Sequence, residues 1–139
     1  MFNIKTLAIA AIAAMAVRDA TGEPQFDEAG TPLTISLYGP GSKQFQKAKH
    51  AAEVRNNTRV MARMQGNAED KQSLDDKLTE SAEFLAACTA SFNGFDYEGM
   101  AGHEMFKAAY ADIEIGHIAE DVNKFLKDRA NFLKPPANS

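Results

Sequence analysis

The alternation of apolar and polar positions is clearest around residue 35. Between residues 33 and 38 the odd positions are leucine or isoleucine, and the even positions are threonine, serine and tyrosine. This period of two is typical of a strand with one buried face. Turn clusters rich in glycine and proline precede the segment, and Gly39-Pro40-Gly41 ends it, because proline has no N–H to donate to a ladder. The pattern predicts a small β-hairpin or three-stranded meander over residues 15–41.

Helical spacing begins after Ser42, whose hydroxyl can cap the first turn by accepting an N–H bond. An imperfect apolar stripe continues to about residue 65, where Gly66-Asn67 ends the helix. A second helix has apolar side chains at 4-3-4 spacing up to Phe92, and two shorter helices follow over roughly 103–111 and 113–131. The fold class predicted is α+β, mainly α, in which the small N-terminal β-hairpin or meander is followed by a four-helix, bundle-like α region.

The length of 139 residues suits one domain. We predict a single domain over residues 1–134, made of the hairpin region 15–41 and the helical region 42–133, followed by a flexible tail over 135–139. Alanine occurs 24 times, whereas leucine, isoleucine, valine and phenylalanine together number 28. That is close to the one-fifth of a chain below which folding becomes doubtful, so the core should be small and rich in alanine contacts.

The first seventeen residues allow two interpretations. Lys5 precedes a short apolar run that ends near Ala14-Met15-Ala16, which is the pattern of a secretory signal peptide. The alternative, which we favour, is an alanine-rich helix that leads into a strand of a cytoplasmic protein. The run of about ten residues is too short to span a bilayer, so no membrane partner is expected.

The net charge of −4 is unevenly distributed along the chain. The first helix has six lysines and arginines against Glu53, and Arg55, Arg59 and Arg63 are spaced four residues apart on one side. The second helix is acidic, with Asp75, Asp76, Glu80 and Glu83 following Glu69 and Asp70. One interpretation is an antiparallel helix pair with opposed charged faces, and the other is a basic face that binds an acidic protein. Nucleic acid is disfavoured as a partner, because aromatic residues do not interleave the basic stripe.

No catalytic motif is found in the sequence. It contains no phosphate-binding glycine loop, no HExxH and no nucleophile elbow. His103 beside Glu104, and His117 near Glu120, are too few for a helical metal site. Cys88 lies in the apolar stripe of the second helix and is expected to be a small core residue. The sequence therefore predicts a protein that is not an enzyme and that has no cofactor and no metal.

Three short sequence segments resemble those of a known family. They are Arg18-Asp19-Ala20-Thr21-Gly22-Glu23-Pro24, Leu37-Tyr38-Gly39-Pro40-Gly41-Ser42-Lys43 and Asp128-Arg129-Ala130-Asn131-Phe132-Leu133. With the basic helix and the acidic helix that ends at Ala86-Ala87-Cys88-Thr89 between them, the chain resembles the small tail assembly chaperones of long-tailed (siphovirus-like) bacteriophages. The resemblance extends over about residues 15–133.

The resemblance implies a non-enzymatic protein of viral morphogenesis, made in the host cell cytoplasm. It would bind the tape measure protein, assist assembly of the tail tube and leave before the tail matures; a contact with the tail tube protein and homo-oligomers are further expectations. A minor structural or connector protein that stays in the phage tail is the alternative. The candidate partner-binding residues are Arg55, Arg59, Arg63, Met61 and Met64. Methionines suit protein–protein contacts with irregular partners, although they equally suit a lean core.

Overall fold

The computed structural model describes residues 1–66 and 74–134. The described strands and α-helices are β1 (Ile12–Ala16), β2 (Thr34–Tyr38), α1 (Lys43–Met64), α2 (Leu74–Ala87), β3 (Thr89–Asn93), α3 (Gly102–Ala111) and α4 (Gly116–Lys127). Short 3-10 turns cover Ile4–Leu7, Ile113–Ile115 and Arg129–Phe132. The predicted class, α+β and mainly α, is confirmed. The predicted tail at 135–139, and Glu69 and Asp70 of the acidic helix, lie outside the described residues.

The three strands form one antiparallel sheet in the order β1-β2-β3. In the central strand β2, Ile35 and Leu37 are 0% exposed, whereas Thr34, Ser36 and Tyr38 are half-buried on the opposite face. The period of two in the sequence therefore identified the strand and its buried face correctly. On the open face the Asn93 amide of β3 donates to Thr34 Oγ1 at 3.0 Å and to Ser36 Oγ at 2.9 Å, which joins the two strands.

Two strands lie where helix was predicted. Residues 12–14, expected to end an alanine-rich helix, join residues 15 and 16 of the predicted hairpin region in β1, which pairs with β2 from Ile12–Tyr38 to Ala16–Thr34. Residues 89–92, expected to continue the second helix, form β3 together with Asn93 and pair with the other edge of β2. The Tyr38 N–H donates to the Cys88 carbonyl at 2.7 Å and so extends this pairing past the end of α2. In both segments pairing with β2 overrides the local helical preference.

The connection from β1 to β2 contains an eight-residue repeat that was not recognised in the sequence. Residues 18–25 and 26–33 each follow the pattern x-D-x-x-G-x-P-x. In the first copy Asp19 Oδ1 accepts the N–H of Thr21 and of Glu23, and in the second copy the carboxylate of Asp27 makes the two equivalent bonds. These bonds, with the Thr21 hydroxyl as the largest contributor, lower the pKa of Asp19. The predicted turn clusters are thus two copies of one folded loop.

The core lies between the inner face of the sheet and the helices α2, α3 and α4. The largest fully buried side chains are those of Tyr110, Phe132, Ile35, Leu37, Leu85, Leu126, Val122 and Cys88. Phe92 of β3 packs against Phe95, Phe106 and Tyr110, with ring centroids 4.7, 4.8 and 6.1 Å apart. As expected, Cys88 is a core residue, and burial raises the pKa of its thiol to about 12.

Candidate functional site

Helix α1 is fixed to the sheet at its first turn and extends away from it. The Ser42 hydroxyl accepts the Phe45 N–H at 3.1 Å and donates to the Gly39 carbonyl at 2.7 Å, so the predicted N-cap is confirmed and joins the helix to the turn that ends β2. With 22 residues the helix is about 33 Å long at 1.5 Å per residue. Ala48 is its one buried residue, so most of this length lies outside the core.

One face of α1 packs against α2, and we call it the inner seam. Its members are half-buried or buried, and every other residue of α1 is exposed. They are Phe45, Ala48, Ala52, Arg55, Arg59 and Ala62. The spacing of 3-4-3-4-3 keeps these residues on one side of a helix. Because α2 covers this side, it is not available to a partner.

The inner seam contains the opposed charges that the sequence predicted. Arg59 forms an ion pair with Glu80 of α2, and the Phe45 ring meets the edge of Phe84 with centroids 5.9 Å apart. Since later residues of α1 contact earlier residues of α2, the two helices run antiparallel. Glu83, predicted to face the basic helix, instead lies 3.5 Å from Lys107 of α3.

The five candidate partner-binding residues are therefore divided between two faces. Arg55 and Arg59 are half-buried on the inner seam, where Arg59 pairs with Glu80 of α2. Arg63 is exposed on its flank. Met61 and Met64 are 60% and 82% exposed and lie on the opposite side of the helix, because positions six and nine residues after Arg55 are rotated well away from it.

The side of α1 opposite α2 carries a second regular series, which we call the outer seam. All seven of its members are exposed. They are Lys43, Lys47, His50, Val54, Asn57, Met61 and Met64. Their spacing of 4-3-4-3-4-3 is that of a coiled-coil contact line. Its methionines and Val54, which is 47% exposed, are open to solvent in the described part of the chain.

The two halves of the outer seam differ in chemistry. The first half contains Lys43, Lys47 and His50, which line an open depression of about 950 Å³ beside the turn Pro40-Gly41. The second half is apolar apart from Asn57, and Val60 on its flank is also exposed. A surface with a cationic end and an apolar end can bind a helix by apolar packing and orient it by charge.

The groups that could carry other chemistry do not converge. Among residues 1–66 and 74–134 no group of three or more His, Cys, Asp or Glu side chains could hold a metal ion. His117 Nε2 lies 3.2 Å from the Arg18 carbonyl oxygen, and His103 lies 3.6 Å from Glu83. No described helix is both long enough and apolar enough to cross a bilayer. The outer seam, with its regular series of exposed residues, is therefore taken as the candidate site.

Comparisons with protein-family models, with curated proteins and with solved structures found no match. The outer seam and the resemblance carried by the short sequence segments are therefore the features that bear on function.

Sequence reasoning found Met61 and Met64 but missed the rest of the outer seam. The single imperfect apolar stripe traced in the sequence does not separate Val54 from the side that packs on α2, and it does not include Asn57. The signal was present in the sequence, since a 4-3 series starting at Lys43 can be traced beside the series starting at Phe45. The sequence does not show that α2 covers only the series that starts at Phe45.

Proposed function

We propose that this protein is a phage tail assembly chaperone that binds a helical segment of the tape measure protein through the outer seam of α1. The observation that carries the proposal is the exposed apolar half of that seam, where Val54, Met61 and Met64 are 47%, 60% and 82% exposed. Single exposed apolar side chains are common on protein surfaces, but apolar side chains grouped in one patch mark an interaction site. A partner helix would remove them from water.

The physical chemistry of the seam suits a chaperone. Burying apolar surface supplies roughly 25 cal/mol per Å², and methionine adapts its flexible side chain to an irregular surface. A long tape measure helix offers apolar stripes that would aggregate if left uncovered. The contact is limited to one helix face, so it can be reversed when tail tube subunits take the place of the chaperone.

The charged half of the seam makes the association sensitive to salt. Exposed charges are screened over about 8 Å at physiological ionic strength, so the lysines contribute to orientation and rate more than to final affinity. The site of action in this proposal is the cytoplasm of the infected host, where tail parts are assembled, and contact with the tail tube protein is part of the same proposal.

Co-expression with a tape measure fragment tests the proposal. The intact chain is expected to bring an otherwise insoluble fragment into the soluble fraction and to copurify with it. The double variant Met61→Gln/Met64→Gln should lose most of this effect. Glutamine at both positions removes apolar surface that the partner helix would otherwise cover.

The matched control is Ile113→Gln/Leu133→Gln, which changes two apolar residues of similar exposure, 79% and 69%, that lie outside α1. This control should solubilise the fragment as the unchanged chain does. Unchanged solubility of the fragment with the intact chain would contradict the proposal. Stoichiometric presence of the protein in purified particles, measured by mass spectrometry, would also contradict it and would indicate a structural tail component.

A further inference from the structure

The outer seam has a cationic end and an apolar end, and together they restrict the chemistry of a partner more than the apolar end does alone. The cationic end is formed by Lys43 and Lys47 with His50, and the apolar end by Val54, Met61 and Met64. The two ends follow one another along a single line of 4-3 spacing. A partner helix that lies along this line meets both of them in a fixed order.

A second copy of this chain does not fit the outer seam. Antiparallel pairing of two α1 helices would place the lysines of each copy against the methionines of the other. Parallel pairing would place the lysines of one copy against those of the other, and like charges at facing positions repel. Neither arrangement places acidic groups opposite the lysines and apolar groups opposite the methionines.

A nucleic acid fits only half of the outer seam. Lys43 and Lys47 could contact phosphates, but Val54, Met61 and Met64 would then stay exposed, and the chain as a whole has a net charge of −4. The seam contains no phenylalanine, tyrosine, tryptophan or arginine on which a series of bases could stack. The apolar end therefore points to a protein helix.

We infer that the outer seam selects an amphipathic helix with an acidic half, which lies over Lys43, Lys47 and the adjoining depression, and an apolar half, which lies over Val54, Met61 and Met64. The inference rests on the proposed function, and it names the segment of the partner that is recognised. Acidic side chains of the partner would enter the depression of about 950 Å³ between the start of α1 and Pro40-Gly41.

Asn57 gives this contact a register. It is an exposed polar residue between Val54 and Met61 on the outer seam, and a single asparagine at such a position of a coiled coil favours pairings that place a polar group opposite it. The partner helix is expected to carry one polar residue within its apolar half. Pairings shifted by a heptad would bury the Asn57 amide against apolar side chains, which costs stability.

The test uses two designed 22-residue helical peptides with the full-length protein. In one peptide the positions that would face Lys43, Lys47 and His50 are glutamate, and those that would face the apolar half of the outer seam are leucine. The second peptide differs only by lysine in place of glutamate. Affinity is measured by fluorescence anisotropy. The acidic peptide should bind about tenfold more tightly than the basic one, which corresponds to about 1.4 kcal/mol.

A pair of single variants locates the charge effect. Lys47→Glu should weaken binding of the acidic peptide about fivefold and strengthen binding of the basic peptide, because it reverses one charge in the seam. Lys49→Glu makes the same change of net charge two residues away, on a flank of α1 that faces neither seam. It should change either affinity less than about twofold, as expected for a screened charge outside the contact.

Three results would overturn the inference. They are equal affinities for the two peptides, equal effects of Lys47→Glu and Lys49→Glu, and a concentration-dependent dimer in sedimentation that Met61→Gln/Met64→Gln abolishes. The proposed function is judged separately by solubility of the tape measure fragment. If that fragment is solubilised while Lys47→Glu and Lys49→Glu behave alike, the chaperone proposal stands and the acidic-helix inference fails.

Discussion

At the scale of single residues, the contact between Gly39 and Phe132 closes the fold. Gly39 follows β2 and donates its N–H to the Ala11 carbonyl at 2.9 Å, and the Phe132 ring occupies the space that a Cβ at this position would need. Phe132 is 0% exposed, and its carbonyl accepts the Ala10 N–H. A residue near the C-terminal end thus holds both the start of β1 and the end of β2.

We predict that Gly39→Ala lowers the free energy of unfolding by about 1–3 kcal/mol, because the new methyl group would overlap the Phe132 ring in a packed core. Chemical denaturation followed by circular dichroism measures the change. Gly116→Ala is the matched control, since nothing lies within 4 Å of the added group and alanine favours the helix that begins there. In a Phe132→Leu background the cost of Gly39→Ala should shrink, and an undiminished cost would show that the strain lies elsewhere.

At the scale of elements, the structure separates what stabilises α1 from what is left for a partner. Ala48 and the other residues of the inner seam are buried or half-buried on the side of α2, whereas all seven residues of the outer seam are exposed. Mutations on the two seams should therefore have opposite consequences for folding and for binding.

We predict that Met61→Gln/Met64→Gln changes the free energy of unfolding by less than about 0.5 kcal/mol, as is usual for exposed positions, because glutamine and methionine have similar helix propensities. Ala48→Gln, at a position only 4% exposed, should instead cost about 1–3 kcal/mol through overpacking. Thermal and urea denaturation of both variants check this. A large loss of stability in the methionine variant would mean that the outer seam belongs to the core.

The sequence predicted the elements whose pattern is decided locally. The strand β2, the Ser42 cap and the amphipathic helices each follow from spacing within a few residues. β3 could not be predicted in this way, because Leu85, Cys88 and Phe92 keep a helical spacing through the end of α2. The chain leaves the helix there because the second edge of β2 is open to residues 89–93, a long-range pairing that no local pattern contains.

The candidate site was predictable only in part for a similar reason. The sequence shows that α1 is basic and carries methionines, but Arg55, Arg59 and Met61 belong to a helix with two nearly equivalent series of positions. Packing by α2 decides that Arg59 is used internally, in the pair with Glu80, and that Met61 is left exposed. The arginines therefore contribute to register within the fold, at the modest energies expected for such ion pairs.

At the scale of the whole molecule, the protein combines a compact core of sheet and helices with one helix that extends from it. The core is built largely from α2, α3, α4 and the inner face of the sheet, and α1 contributes Ala48 to it. Exchange of backbone amides is slowest where opening requires the core to open. The distal half of α1 should therefore exchange early in the free protein, since few buried contacts hold it.

Binding of the partner should slow amide exchange in the distal half of α1, which exchanges early in the free protein, and should leave the other elements unchanged. In hydrogen–deuterium exchange with mass spectrometry, a bound tape measure fragment is expected to slow exchange most strongly over residues 54–64, where the apolar half of the outer seam lies, and by at least about tenfold if the fragment lowers the opening equilibrium by 1.4 kcal/mol. Residues 34–38 of the core should be unaffected, because they are already protected. Protection that appeared instead on the open face of the sheet, around Ser36 and Asn93, would place the partner there and would contradict binding through α1.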